Sequence, residues 1–302
     1  MTILIGSASW ADKSLIACGR FYPPGTRTAE ARLRYYARQF PLVEADSTYY
    51  AMPTAVTAGL WAERTPPGFV MNVKAFRLLT GHPTAPQALP TDLVSGLRLP
   101  AGRAVYYRQL PGAARDEMWR RFNEGVAPLA GEGRLGVVLF QFPPWLVNDR
   151  AGRAHVADCV ARTAPWRAAV EFRHQSWFAG PARSATVDFL RSLAAVHVVA
   201  DEPQGFENSV PAVWEASDDA LAMVRLHGRN ALSWQAAGIG RSGGRFNYEY
   251  PAHELTGLAV DIRRLAERVA DVHVVLNTNN EDQGQRNARK LMRIMGLAAP
   301  GP

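Results

Sequence analysis

Residues 168–174 read AAVEFRH. Val170 and Phe172 favour an extended backbone, and strand side chains alternate between two faces. Glu171 and Arg173 therefore share the face opposite the apolar one. An unpaired buried charge is very costly, whereas a paired and hydrogen-bonded one is tolerable. A short buried strand of this kind calls for a fold whose interior is polar at the end of the strand.

The pattern recurs along the chain. Eight strand-like runs stand out: ILIGSASW (3–10), LVEADSTYY (42–50), FVMNVKAF (69–76), LGVVLFQF (135–142), AAVEFRH (168–174), HVVAD (197–201), AMVRLHG (222–228) and HVVLNTN (273–279). Helical patterns separate most of them, at 28–40 with Thr28 as N-cap, 54–65, 115–130, 183–194, 253–270 and 283–295. Alternating strands and helices imply a parallel sheet. Eight such units in a chain of 302 residues predict a single (β/α)8 TIM-type barrel domain over 1–302, with less regular later units. An open doubly wound sheet is the second choice, but no G-x-G-x-x-G follows the first strand.

Composition narrows the class. A hydrophobic fraction of 47% and a charged fraction of 20% belong to a globular protein with a large core. No apolar run is long enough to cross a bilayer. The opening MTILIGSASW lacks the basic and apolar regions of a signal peptide. Cys18 and Cys159 have neither metal-ligand spacing nor the number for a disulfide framework, so a reduced, cytoplasmic protein is expected. The net charge of +7 rests on arginine, the only lysines being Lys13, Lys74 and Lys290. Arg-rich coding accounts for such a balance, and so does a surface suited to phosphate.

If the apolar parity of each strand faces the helices, the other parity faces the barrel interior. It comprises Ser7 and Ser9, Glu44 and Asp46, Asn72 and Lys74, Gln141, Glu171 and Arg173, Asp201, Arg225 and His227, and Asn277 and Asn279. These residues gather toward the C-terminal strand ends, where barrel active sites lie. Buried ion pairs add little stability, so a charged ring suits a site better than a core. Glu171, His227, Lys74 and Asp201 are the catalytic candidates. His227 can serve as general acid or base. Lys74 can act as a Schiff-base nucleophile or simply pair with Glu44 or Asp46. Glu44, Asp46, Ser47, Tyr49, Trp10, Gln141, Arg173, His174, Trp177, Arg225, Asn277 and Asn279 are candidates for holding substrate. Carboxylates and imidazole at Glu44, Asp46, Glu171, Asp201 and His227 also suit Mg, Mn or Zn. The interior cations already balance them, so no metal or other cofactor is assigned, and a metal-dependent hydrolase stays an alternative.

From Arg225 to Tyr248 there is no acidic residue, and Arg229, Arg241 and Arg245 lie in this stretch. Its glycine-rich part, GIGRSGGRFNY (238–248), is a candidate phosphate loop, the position after strand seven where such barrels often bind phosphate. Aromatic residues at the strand ends, among them Trp10, Tyr49, Tyr50, Phe142, Trp145, Trp177 and Tyr248, could stack on a base or sugar or close the barrel mouth by packing.

Several separated motifs resemble the domain-of-unknown-function 72 family, the YecE-like proteins. They are GSASW (6–10), FYP (21–23), EADSTYY (44–50), PPGF with VKA (66–75), QFPP (141–144), EFRHQSW (171–177), VRLHG (224–228) and NTNN with RNA (277–288). The resemblance covers nearly the whole chain and implies a TIM-barrel-like fold, but no reaction. It also implies Asn where Asp46 stands and Phe where Tyr49 stands, so Asp46 adds a charge. The expected function is acid–base catalysis through Glu171 and His227 on an anionic, phosphate-bearing substrate, a nucleotide or nucleic-acid phosphodiester first, with Arg225, Arg173 and Lys74 holding its charge and the 238–248 loop closing over it. A nucleic-acid-binding protein without turnover and a Schiff-base lyase using Lys74 are the alternatives. No membrane partner is expected, and no apolar surface stripe points to an oligomeric state.

Overall fold

Eight parallel strands close into a barrel in sequence order: β1 (Thr2–Ala8), β2 (Leu42–Ala45), β3 (Val70–Lys74), β4 (Leu135–Gln141), β5 (Ala168–Glu171), β6 (Val196–Asp201), β7 (Leu221–Leu226) and β8 (Asp271–Leu276). The computed structural model describes residues 1–95, 103–206, 208–234 and 247–301. Closure falls between β1 and β8, where Gly6 pairs with Val275 while facing Leu42 of β2 on its other side. A Cβ at Gly6 would lie 1.9 Å from the Leu42 carbonyl oxygen, so glycine is required there.

Two apolar layers hold the barrel. The larger lies between strands and helices, with Ile5, Val43, Val73, Phe140, Val170, Val224 and Val274 among its strand residues. The smaller fills the barrel and includes Leu42, Val137, Leu139, Ala169, Val196, Val198, Leu221, Met223 and Val275. His273 and Asn72 bond at 3.1 Å inside the barrel. Gly136 makes room for them, since a Cβ there would stand 2.3 Å from the Asn72 Oδ1.

The helices follow the apolar periodicity. Thr28 and Thr54 cap Ala29–Gln39 and Ala55–Glu63 by accepting the N–H groups of Ala31 and Thr57. Gly112–Gly131, Ala182–Ser192, Ala252–Ala266 and Gln283–Ile294 occupy the other expected segments. The sequence reading missed Arg150–Thr163. Its arginines, alanines and single glycine blur the apolar period, and its start is set by Asp149 accepting the Gly152 N–H at 2.7 Å. The β6–β7 connection has no helix among its described residues. Specific polar contacts replace it: Ser217 Oγ accepts the His197 N–H at 2.7 Å, and Glu202 accepts the Val210 N–H at 2.7 Å. Among the described residues no helix is long and apolar enough to cross a membrane.

The strands end earlier than the sequence runs suggest. Residues 46–50, 172–177, 227–230 and 277–280 leave the ladder beyond the C-terminal strand ends, with short 3-10 turns at Ser47–Tyr49 and Gln175–Trp177.

Candidate functional site at the barrel mouth

The mouth is organised around Glu171, the last residue of β5, whose side chain is fully buried. One carboxylate oxygen accepts from Arg225 on β7. The other accepts from Arg173 at 3.0 Å and lies 3.1 Å from the His227 Nε2. Burial works against its charge, but Arg225, then His227 and Arg173, outweigh that and hold the carboxyl well below the usual range. Arg225 also donates to both oxygens of Glu44 on β2, at 2.9 and 2.6 Å, and at 3.4 Å to Gln141 on β4. Its guanidinium is thus fixed by two carboxylates from opposite sides of the barrel.

His227 sits between Glu171 and Asn277, whose amide nitrogen lies 2.8 Å from Nδ1. Desolvation pushes the imidazole down to about 3, more than Glu171 raises it. The neutral ring that fits these partners donates from Nε2 and accepts at Nδ1. Asn279 steadies Asn277 through a 3.3 Å bond.

Lys74 closes β3 on the same interior face, half-buried. The expected pairing with Glu44 or Asp46 does not form, because Arg225 occupies Glu44. Among the described residues the Lys74 ammonium has no hydrogen-bond or ion-pair partner, and it lies 4.7 Å from the ring centre of Tyr49. Desolvation, then the Arg225 charge, lowers it to about 8, although Glu44, Glu171 and Asp46 pull the other way. Asp46, also half-buried, is raised by burial to about 6 against the pull of Lys74.

Strand six requires a correction. Asp201 does not point into the barrel. It pairs in register with Leu226, which belongs to the helix-facing layer, and so has the same parity. Arg229 binds it with bonds of 2.7 to 3.1 Å, and the Tyr250 hydroxyl donates to it at 2.6 Å. The interior position belongs to Glu202, whose Oε2 lies 2.8 Å from the same Arg173 nitrogen that serves Glu171. Burial raises Glu202 to about 7, the Arg173 charge opposing this. A proton near neutral pH thus relieves a cluster with more carboxylates than guanidinium groups. The polar residues of HVVAD, His197 and Asp201, both fall on the helix-facing parity, which is why polarity alone misassigned its faces.

Strand one is corrected in the same way. Ser7 faces the helices, 3.0 Å from the Tyr36 hydroxyl and accepting from Gln285 at 3.0 Å. Ser9 adopts a left-handed backbone (φ 65°) beyond the strand and accepts the Ala11 N–H.

Other candidates lie apart from the charged centre. Trp10 packs edge-on against Trp61 at 5.4 Å, and Trp177 stacks on Phe172 at 3.8 Å. His174 accepts the Ser176 N–H and caps the short turn at Gln175–Trp177. Ser47 opens an exposed turn ahead of Tyr49. Arg229 is held by Asp201, while Arg241 and Arg245 lie outside the described residues. Glu44 and Glu171 spend their oxygens on guanidinium and imidazole nitrogens. Among the described residues no group of three or more His, Cys, Asp or Glu side chains is arranged to hold a metal.

Eight parallel strands around a buried ion-pair cluster, with polar side chains at their C-terminal ends, define a TIM-type barrel protein with its candidate site in the mouth. The chain belongs to the family described as "Protein of unknown function DUF72", which matches residues 4–302. It is similar to the UPF0759 protein YunF of Bacillus subtilis (strain 168), 30% identical over 301 residues, covering 99% of this chain and 96% of that one. A DUF72 family protein from Enterococcus faecalis V583 superposes with a TM-score of 0.81 at 22% identity, covering 100% of this chain and 98% of that one. Another from Thermotoga maritima MSB8 gives 0.73 at 25% identity, covering 98% and 100%.

Proposed function

We propose that this protein is an enzyme that acts by acid–base chemistry on an anionic, phosphate-bearing substrate at the barrel mouth. The observation that carries this reading is Lys74: a half-buried ammonium with no hydrogen-bond or ion-pair partner among the described residues, beside two arginines that each hold two carboxylates. In this reading Lys74 holds the negative charge and supplies a proton, and Asp46 is the neighbouring base. Between pH 6 and 8 Asp46 is mostly ionised while Lys74 is mostly protonated. Those are complementary states for base and acid catalysis in one window. Glu171 is too firmly held by its three donors to exchange protons readily, so it serves as the anchor that orients Arg225, Arg173 and His227.

The test is turnover of a panel of phosphate monoesters and diesters, nucleotide diesters included. Lys74→Met should lower kcat/KM by about 10²-fold or more, and Asp46→Asn should remove the acidic limb of the pH profile. Turnover that neither substitution alters would refute the assignment.

A second reading is favoured by the depressed Lys74 value. A desolvated lysine next to a cation is a competent Schiff-base nucleophile. Borohydride trapping of a carbonyl compound on Lys74 would support it, and failure across a panel of aldehydes and ketoacids would exclude it for those classes.

A further inference from the structure

Beside the mouth, between the turns that follow β3 and β4, lies a cleft of about 420 Å³ lined by Gly81, Tyr106, Tyr107, Arg108, Trp145 and His155. We infer that this cleft is a base-binding subsite and that the ligand of the mouth is a nucleotide, its planar base against Trp145 and its phosphate toward Lys74 and Arg77. The inference rests on the reading of Lys74 as the anion-holding group and extends it to a substrate class.

Three observations carry it. The first is continuity. Lys74 lies over Tyr49, Tyr49 meets His82 edge-on at 5.3 Å, and His82 meets Trp145 at 5.7 Å. A row of rings therefore leads from the ammonium to the cleft. The second is the exposure of Trp145, 55% against none for Trp177 and Trp234. Phe142 and Pro143 before it are buried and Pro144 is half-buried, which anchors the segment that carries the indole, and the ring itself meets His82. The third is charge. Among the described residues the lining contains one arginine and no carboxylate, and the Arg77 guanidinium lies 5.2 Å from the ring centre of Tyr49. Burial keeps His82 and His155 neutral by lowering both. Cations interleaved with aromatic rings suit a base that carries a phosphate, because every base has a face to stack and every phosphate a charge to pair. The volume falls within the range of small-molecule sites.

The phosphate-bearing base could be a free nucleotide or a unit of a single strand, and the experiment separates these. Calorimetric titration is made with AMP, adenosine, ribose 5-phosphate and a short oligo(A), on the wild type, Trp145→Ala and Lys74→Met. AMP should bind more tightly than adenosine or ribose 5-phosphate. Trp145→Ala should weaken AMP and adenosine about tenfold and leave ribose 5-phosphate unchanged. Lys74→Met should weaken AMP and ribose 5-phosphate and spare adenosine. Equal affinity for oligo(A) and AMP supports a free nucleotide, and much tighter oligo(A) binding supports a strand. If Trp145→Ala leaves AMP binding unaltered, or ribose 5-phosphate binds as well as AMP, the base subsite is refuted while the anion site stands. If AMP binds no better than adenosine and Lys74→Met has no effect, the phosphate assignment falls with the reading of Lys74. Absence of binding by all four at millimolar concentration overturns both. Trp145 lies on the surface, so its removal leaves the core intact.

Discussion

Arg225 reaches across the barrel from β7 and binds both carboxylate oxygens of Glu44 on β2, a residue 181 positions away, at 2.9 and 2.6 Å. Both side chains are completely buried. Arg225→Met would leave Glu44 and Glu171 without their shared cation, and breaking a buried pair costs about 3–5 kcal/mol. Denaturant unfolding should show a loss of that size. Arg225→Lys should recover only part of it, because an ammonium cannot reproduce the forked donor set. A loss below about 1 kcal/mol would mean that the pair is solvated.

Lys74 should titrate far below an ordinary lysine. Acylation of its amine, followed by peptide mass spectrometry as pH is raised, should show a midpoint near 8. Glu171→Gln, which removes a charge favouring the ammonium, should move the midpoint lower still. A wild-type midpoint near 10.5, the unshifted value, would contradict the placement of this side chain.

Asp46 should lower stability at neutral pH. Its carboxyl is raised from 3.8 to about 6, so between these values the folded protein holds more of the proton than the unfolded chain does. Stability from this group therefore falls as pH rises through that window. Asp46→Asn should match the wild type in melting temperature below pH 4. The variant should gain on it from pH 4 to 6, then keep a constant advantage. A difference independent of pH would show that Asp46 is not desolvated.

Gly136 gives way to the Asn72–His273 contact inside the barrel. Gly136→Ala should lower stability by about 1–3 kcal/mol, as overpacking does. Asn72→Ala should relieve most of that penalty in the double variant, since the Asn72 side chain is the nearest obstacle, at 2.3 Å. Additive losses would place the strain elsewhere.

The barrel was legible because strand and helix periods alternate through the whole chain, and the Thr28 cap marked its helix correctly. Glu44, Lys74, Gln141, Glu171, Arg173, Arg225, His227 and Asn277 were recognisable because a polar residue repeats on an otherwise apolar strand. That signal failed for HVVAD, whose polar residues His197 and Asp201 share the helix-facing parity, and for ILIGSA, whose faces are apolar or small, so Asp201 stood in for Glu202 and Ser7 was turned inward. Who pairs with whom was not legible. The acids nearest Arg225 in sequence are Asp218 and Asp219, and only barrel closure shows that Glu44 and Glu171 take it and leave Lys74 to Tyr49. The row from Tyr49 through His82 to Trp145 joins three different loops, and no local pattern links them.

The most direct test of the central claim is the affinity of wild type and Lys74→Met for a labelled phosphodiester oligonucleotide and for a phosphomonoester, each measured across a salt series. The account predicts binding that weakens as salt rises and is reduced tenfold or more by Lys74→Met while Arg225 and its carboxylates stay in place. Binding that Lys74→Met leaves unaltered, or none even at low salt, would contradict it.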